Sequence, residues 1–421
     1  MCMIDLKKQT EFVETSIKKL DEWVDENGWA GYDPYDIKGT PLYQFFLNPS
    51  PSPYFSKSKN IALFALNEIE DRYPLQMRNL FKIRKQINAK ALGLFAKSYF
   101  NLYQSLQNEK YLHKGESCLQ ILLDNHSKNY SCLSWGYPFD WQAGIFIPKG
   151  TPSSVVSSVV GDAFWNAYVI TDKVGYLDVC QNICSFFLND LNIDEIDENS
   201  ICFSYTPLDH FHVHNANLFV GEFLSRIGKE TNNNDWINYG KKAANYAVLE
   251  QNSDGSIYYW GRDQNDFKPN HSDHYHTGFE IRLLYNMWKN TGDIKYYKSF
   301  YKYFLYYRDN FFLKSDDKII PKMTPSSLFP INVHSCSESI LCNSALVTIF
   351  PESKEILYPL TEWIVNNFQT EEGWFIYKIK KQYGVDVKCR IPFVRWGQAW
   401  MMLALSEYLK ILRTPETISM S

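Results

Sequence analysis

The sequence predicts an all-α protein: one domain over residues 1–421, built as an (α/α)6 toroid of six helical hairpins with aromatic-rich connectors and short strands on one face. Three observations predict it. Segments rich in small and apolar residues recur with starts about 60 residues apart, a period that marks a repeat architecture rather than unrelated domains. Most are followed by helix-stop chemistry and then by a second, more amphipathic segment of helical spacing. The connectors to the next small-residue segment are long, varied and aromatic, whereas an open solenoid has short, monotonous turns.

Each element has its own signal. The chain opens on a polar amphipathic helix at residues 8–26, and a second outer helix is expected at 108–124. Inner helices are expected to begin near Asn88, Ser157, His214, Tyr275, Cys336 and Arg395, with "NAKALGLFAKSYFNLYQSL" and "RWGQAWMMLALSEYL" as the first and last. Their small residues suit close packing around a central axis. Stops such as "TDKVGYLD", "IGKETNNNDW" and "TGDIKYYK" place Gly or Asn before Asp, the end and start chemistry of a tight helix–helix turn. Outer helices follow in "YLDVCQNICSFFLNDL", "DWINYGKKAANYAVLEQ", "IKYYKSFYKYFLYYRDNFF" and "ILYPLTEWIVNNF". The basic run "KIRKQINAK" reads as a solvated helix face and the acidic "NIDEIDENS" as a surface loop.

Composition excludes several classes. With 43 basic and 47 acidic residues the net charge is −4, against a nucleic-acid or membrane-surface binder, which needs a basic face. No stretch approaches the ~18 apolar residues of a membrane span. The first twenty residues lack the apolar centre of a signal peptide. Nine cysteines without a CxxC pair read as buried thiols of a cytoplasmic protein. The 29 Tyr and 12 Trp exceed what a core requires, and such rings commonly cover the apolar face of a pyranose.

The histidines localise the chemistry. Six of the nine crowd into "DHFHVHNAN" and "NHSDHYHTGF". In a toroid the long connectors and the N-termini of the inner helices share one face. His214, Asn215, His274, Tyr275, His276, Glu338, Arg395 and Trp396 therefore converge on one cleft, joined by His212, Asn270 and His271. Abstraction of a proton from C5 of a uronic acid needs a base titrating near neutrality, an acid opposite it, and groups that neutralise the carboxylate. His214 and His271 are the candidate bases and Tyr275 the candidate acid. Arg262, Arg390 and Arg395 are candidate carboxylate forks. Tyr259, Trp135, Tyr137 and Trp141 are candidate sugar-binding rings.

Two other chemistries stay open. Asp140, in "WGYPFDWQ", stands among those rings and with a second carboxylate would serve a glycoside hydrolase. Asp162, Glu280 and Glu338 lie on inner helices, and Asp254 precedes a turn glycine. Alternatively, His210, His212 and His214 would point to one side of a strand and bind zinc, but no cysteine set or HExxH pattern accompanies them. No cofactor is therefore expected.

This plan, with "WVDENGWAGYDPYD" at its start and "RWGQAWMMLALSEYL" at its end, resembles the (α/α)-toroid glycan-processing proteins. These include proteins of polysaccharide-biosynthesis clusters, uronyl C5-epimerases, and polysaccharide lyases of the alginate-lyase and heparinase kind. Asn270-His271-Ser272 is similar to the Asn-His-Ser stretch of the alginate-lyase type. The resemblance implies that Asn270 and His271 meet the uronate carboxylate and C5 proton while a tyrosine completes the transfer. The expected function is thus a carbohydrate-active enzyme tailoring an acidic oligo- or polysaccharide by epimerisation or β-elimination. A glycoside hydrolase and a non-catalytic glycan-binding protein are the alternatives.

Overall fold

Six inner helices pack side by side in a closed circle. A computed structural model describes residues 6–48, 53–264, 271–315 and 318–414. In chain order the helices are α1 (Leu6–Asn27), α2 (Pro41–Leu47), α3 (Pro53–Arg72), α4 (Pro74–Leu80), α5 (Ala89–Leu106), α6 (Glu109–Asp124), α7 (Ser154–Thr171) and α8 (Val174–Asn189). They continue with α9 (His214–Glu230), α10 (Asn234–Leu249), α11 (His274–Thr291), α12 (Ile294–Asn310), α13 (Val333–Leu346), α14 (Ser353–Phe368), a π-helical turn at Val394–Ala399, and α15 (Trp400–Arg413). The inner circle runs α5, α7, α9, α11, α13, α15, and α15 packs back on α5. That contact makes a toroid rather than a solenoid.

Outside each inner helix lies its hairpin partner: α6 on α5, α8 on α7, α10 on α9, α12 on α11 and α14 on α13. The sixth pair joins the two ends of the chain, α1 against α15. Tyr408 donates to Gln9 at 3.0 Å and Arg413 to Glu14 at 2.7 Å, so the last hairpin forms only when both termini meet.

Small residues set the helix spacing. A Cβ on Gly240 would lie 2.4 Å from the Gly221 carbonyl oxygen, so α9 and α10 approach at a distance only glycine permits. The turns follow the predicted chemistry. Gly292 closes α11 in the left-handed region (φ 69°), and the Asp293 side chain caps α12 by accepting from the Lys295 N–H.

Two features depart from the sequence reading. Helices α2–α4 belong to none of the hairpins. They carry their own cluster of Ile37, Tyr43 and Met77 and dock on the Lys378–Gln382/Val385–Cys389 hairpin, where Lys378 meets Asp71 and Lys380 meets Glu68, each at 2.6 Å. The acidic run is not a loop: Ile193–Asp197 pairs with Ser200–Phe203 in an antiparallel hairpin. Cross-strand pairing outweighed its local charge.

Candidate active site

The N-termini of the inner helices face the axis at one end of the toroid and enclose a funnel of about 220 Å³. Its wall comes from every part of the chain: Tyr35, Lys90, Tyr137, Trp141, Asn215, Tyr259, Tyr275, His276, His334, Arg395 and Trp396 all line it. Aromatic rings dominate. Tyr35 and Trp141 stack with centroids 5.6 Å apart and planes 3° from parallel, while Tyr137 meets Trp141 edge-on at 5.7 Å.

His276 is the one histidine of the two clustered stretches among the funnel-lining residues. Asp273, the N-cap of α11, holds it. One carboxylate oxygen accepts the His276 backbone N–H at 3.0 Å and the other lies 2.7 Å from His276 Nδ1. The cap that starts the helix therefore also orients the ring one turn later. A carboxylate partner makes Nδ1 the donor, which leaves the lone pair of a neutral ring on Nε2. Burial by itself pushes the pKa of Asp273 up, but its electrostatic interaction with His276 and these two hydrogen bonds outweigh that and hold the carboxyl below its usual range. Asp273 is thus a fixed anion behind an imidazole.

The second histidine, His334 in the first turn of α13, was not among the residues singled out from the sequence. It is 2% exposed, and neither ring nitrogen has a hydrogen-bond partner. Burial, followed by the charges of Lys90 and Arg395, holds it well below the usual imidazole value, so the ring is neutral. Tyr275 contacts both imidazoles, with centroids 4.2 Å from His276 and 4.5 Å from His334. Burial raises the Tyr275 phenol far above its ordinary value and keeps its proton on.

Arg395 sits on the π-helical turn, a feature frequent at functional sites. Its Nη2 donates to Asp33 at 2.7 Å and its Nε also donates to that carboxylate. The rings of Tyr35, Tyr137 and Trp396 surround it at 4.8–5.1 Å. "GYDPYD" thereby both walls the funnel, through Tyr35, and anchors the last inner helix, through Asp33. Asn215 presents a buried Oδ1 without a partner.

Several residues singled out from the sequence serve elsewhere. His214 turns outward to Glu250 (2.9 Å) and packs on Tyr246. His274 is buried between the Lys322 carbonyl (2.8 Å) and the Tyr307 hydroxyl (2.6 Å), which occupies both ring nitrogens. His212 lies between Asp194 and Asp263, and Arg262 holds the carbonyl of Glu250. Glu338 is buried in a two-point ion pair with Arg282. Trp135 is a core ring whose Nε1 donates to the Leu122 carbonyl. Asp140 accepts the Lys149 backbone N–H at 2.7 Å and fixes a connector, and the funnel-lining residues include no carboxylate. Arg390 is exposed over Trp374.

For His214 and His274 the reason is the rotational phase of the first helical turn. His274, beside the funnel-lining Tyr275, is turned to the outer layer, where Tyr307 and the Lys322 carbonyl hold it. His271 is exposed, its ring 5.4 Å from that of Tyr259. Asn270 lies outside the described residues. His210, His212 and His214 are not on a strand; the first two share Asp194 while the third heads α9. Among the described residues no group of three or more His, Cys, Asp or Glu is arranged to hold a metal ion. Lys90, taken with its basic neighbours as solvated, is instead buried in the funnel. The usable signal was its place in the first turn of an inner helix, two residues after the Asn88 cap.

A closed ring of six helical hairpins with a connector-lined funnel at one end is the fold of the (α/α)6-toroid glycan-processing proteins. The solved structures with this fold include cellobiose 2-epimerase from Bacillus thermoamylovorans, with a TM-score of 0.61 and 11% identity over 77% of this chain and 88% of that one. A D-mannose isomerase aligns with a TM-score of 0.57 and 16% identity, over 77% of this chain and 87% of that one. An unsaturated glucuronyl hydrolase specific for heparin aligns with 0.56 and 13%, over 96% of this chain and 97% of that one. No family model and no curated protein matches the sequence.

Proposed function

We propose that this chain is a carbohydrate-active enzyme that moves a proton at a sugar carbon, with His276 as the base. The observation that carries the reading is the Asp273–His276 pair, a buried carboxylate 2.7 Å behind an imidazole on the wall of a small aromatic funnel. Nε2 of His276 takes the proton, and the Asp273 carboxylate stabilises the imidazolium that forms. His334 and the Tyr275 phenol supply proton carriers from other parts of the wall. The substrate class is an acidic glycan, with C5 of a uronate residue as the carbon that reacts. Loss of that proton leaves a carbanion-like intermediate that needs positive charge and hydrogen-bond donors nearby, and Arg395 and Lys90 line the same funnel. Return of a proton to the opposite face gives epimerisation, and loss of the C4 substituent gives elimination. Neither requires an organic cofactor. The solved structures of like fold include a sugar epimerase and an isomerase, which agrees with proton-transfer chemistry in such a funnel.

Incubation with uronate-containing oligosaccharides in deuterated water tests the reading. Deuterium at C5 with intact chains identifies an epimerase, and absorbance from a new 4,5-double bond identifies a lyase. New reducing ends without unsaturation or deuterium would overturn the proposal in favour of hydrolysis.

A further inference from the structure

We propose that Lys90 is the counter-ion for a carboxylate on the bound sugar, so that the funnel selects an acidic sugar over its neutral counterpart. The inference rests on the funnel being the sugar site and names the group that discriminates there.

The charges around the funnel carry the argument. Arg395 is paired with Asp33, the Asp273 carboxylate is engaged by His276, and His334 stays uncharged. Glu338, on α13 near Lys90, is taken by Arg282. Lys38 lies over the Tyr35 ring at 4.2 Å and is not among the funnel-lining residues. Lys90 remains. It is 4% exposed, it lines the cavity, and its Nζ has no hydrogen bond or ion pair among the described residues. It lies over the rings of Phe279 at 5.9 Å and Trp400 at 5.5 Å, near the ~6 Å limit at which a ring attracts a cation.

A buried ammonium without an anion is costly, and it is kept where a ligand completes it. Burial, with the charge of Arg395, pushes Lys90 down to about 7, against the weaker opposing pull of Asp33 and Glu338. An arriving carboxylate reverses that balance and draws a proton onto the amine. The cavity, at 220 Å³, lies below the ~300–1,000 Å³ of sites for drug-sized ligands, so it takes about one sugar ring with its acid group inside.

Binding of glucuronate and galacturonate, each against its uncharged amide, tests this by titration calorimetry on the full chain. At pH 6 the wild-type protein is expected to prefer the acid at least tenfold, and at pH 8, where the free amine is largely unprotonated, acid binding should bring net proton uptake, seen in buffers of different ionisation enthalpy. The preference is expected to shrink by pH 8 as Lys90 loses its proton. Lys90→Met should abolish it without weakening the amide, and Lys90→Arg should restore part of it. The melting temperature of Lys90→Met should be unchanged or higher, since an unpaired buried charge is removed, whereas a structural lysine would lower it. Equal preference in wild type and Lys90→Met, or binding of neither acid by the wild type, would overturn the proposal. Charge preference without deuterium exchange would leave Lys90 as assigned and defeat the proton-transfer reading instead.

Discussion

The rings of Tyr275 and His334 lie 4.5 Å apart and 10° from parallel, joining the first turns of α11 and α13 at the funnel wall. Trp400 stacks on the same imidazole at 5.0 Å, and Trp396 meets it edge-on at 4.5 Å. The histidine is packed as a flat ring, yet both its nitrogens lack partners. His334→Phe should therefore keep the stack and hold stability within about 1.5 kcal/mol, because it removes two unsatisfied atoms at similar shape. Turnover should fall at least tenfold if those nitrogens serve the substrate. Thermal melts with activity assays check the pair of outcomes; a collapsed fold with the remaining activity per folded molecule unchanged would make the ring purely structural.

His276→Ala is expected to reduce turnover by ~10²–10⁴, the range for losing general acid–base catalysis. Sugar affinity should change far less, since Tyr35, Trp141 and Arg395 remain. Asp273→Asn keeps a helix cap but loses the anion behind the ring, so kcat should drop while KM holds. Steady-state kinetics separate these, and unaltered kcat in both variants would remove His276 from the mechanism.

Asp140→Asn should retain turnover on any substrate of the wild-type enzyme. Its carboxylate fixes the Lys149 backbone N–H and lies outside the funnel wall. A modest fall in melting temperature is the expected effect, from a weakened connector. Complete loss of activity with an intact fold would restore the hydrolase reading.

The buried His274 sets a pH limit on stability. Burial holds it down to about 4 in the folded chain, against an unfolded value near 6.5. Below that unfolded value the unfolded chain takes up a proton the folded one refuses, so stability falls as pH falls. The contribution is fully present above pH 6.5 and declines toward pH 4 by about 3 kcal/mol, at ~1.4 kcal/mol per pH unit. Urea unfolding across this window should show a shallower decline for His274→Gln than for wild type. Parallel declines would mean that His274 is not the titrating group.

Much of the architecture was legible in the chain. The recurrence of small-residue segments, the Gly292-Asp293 turn and the spacing of the inner helices predict six hairpins, because helix periodicity and cap chemistry are local properties. The same logic located Asn215, Tyr275, His276, Arg395 and Trp396 at inner-helix N-termini, and the funnel collects them all. Which side of the first turn faces the axis was not legible. His274 and His276 differ by two positions, yet one is locked in the outer layer by Tyr307 and the other opens on the cavity. Lys90 and His334 carried no cluster to mark them, and Asp33 gives no sign in sequence that it meets Arg395 across the closed ring. Repeat, period and caps depend on neighbours in the chain and so are written in it. The rotational phase of each helix, and the partner left to each buried charge, depend on packing between segments hundreds of residues apart, and only the closed toroid decides them.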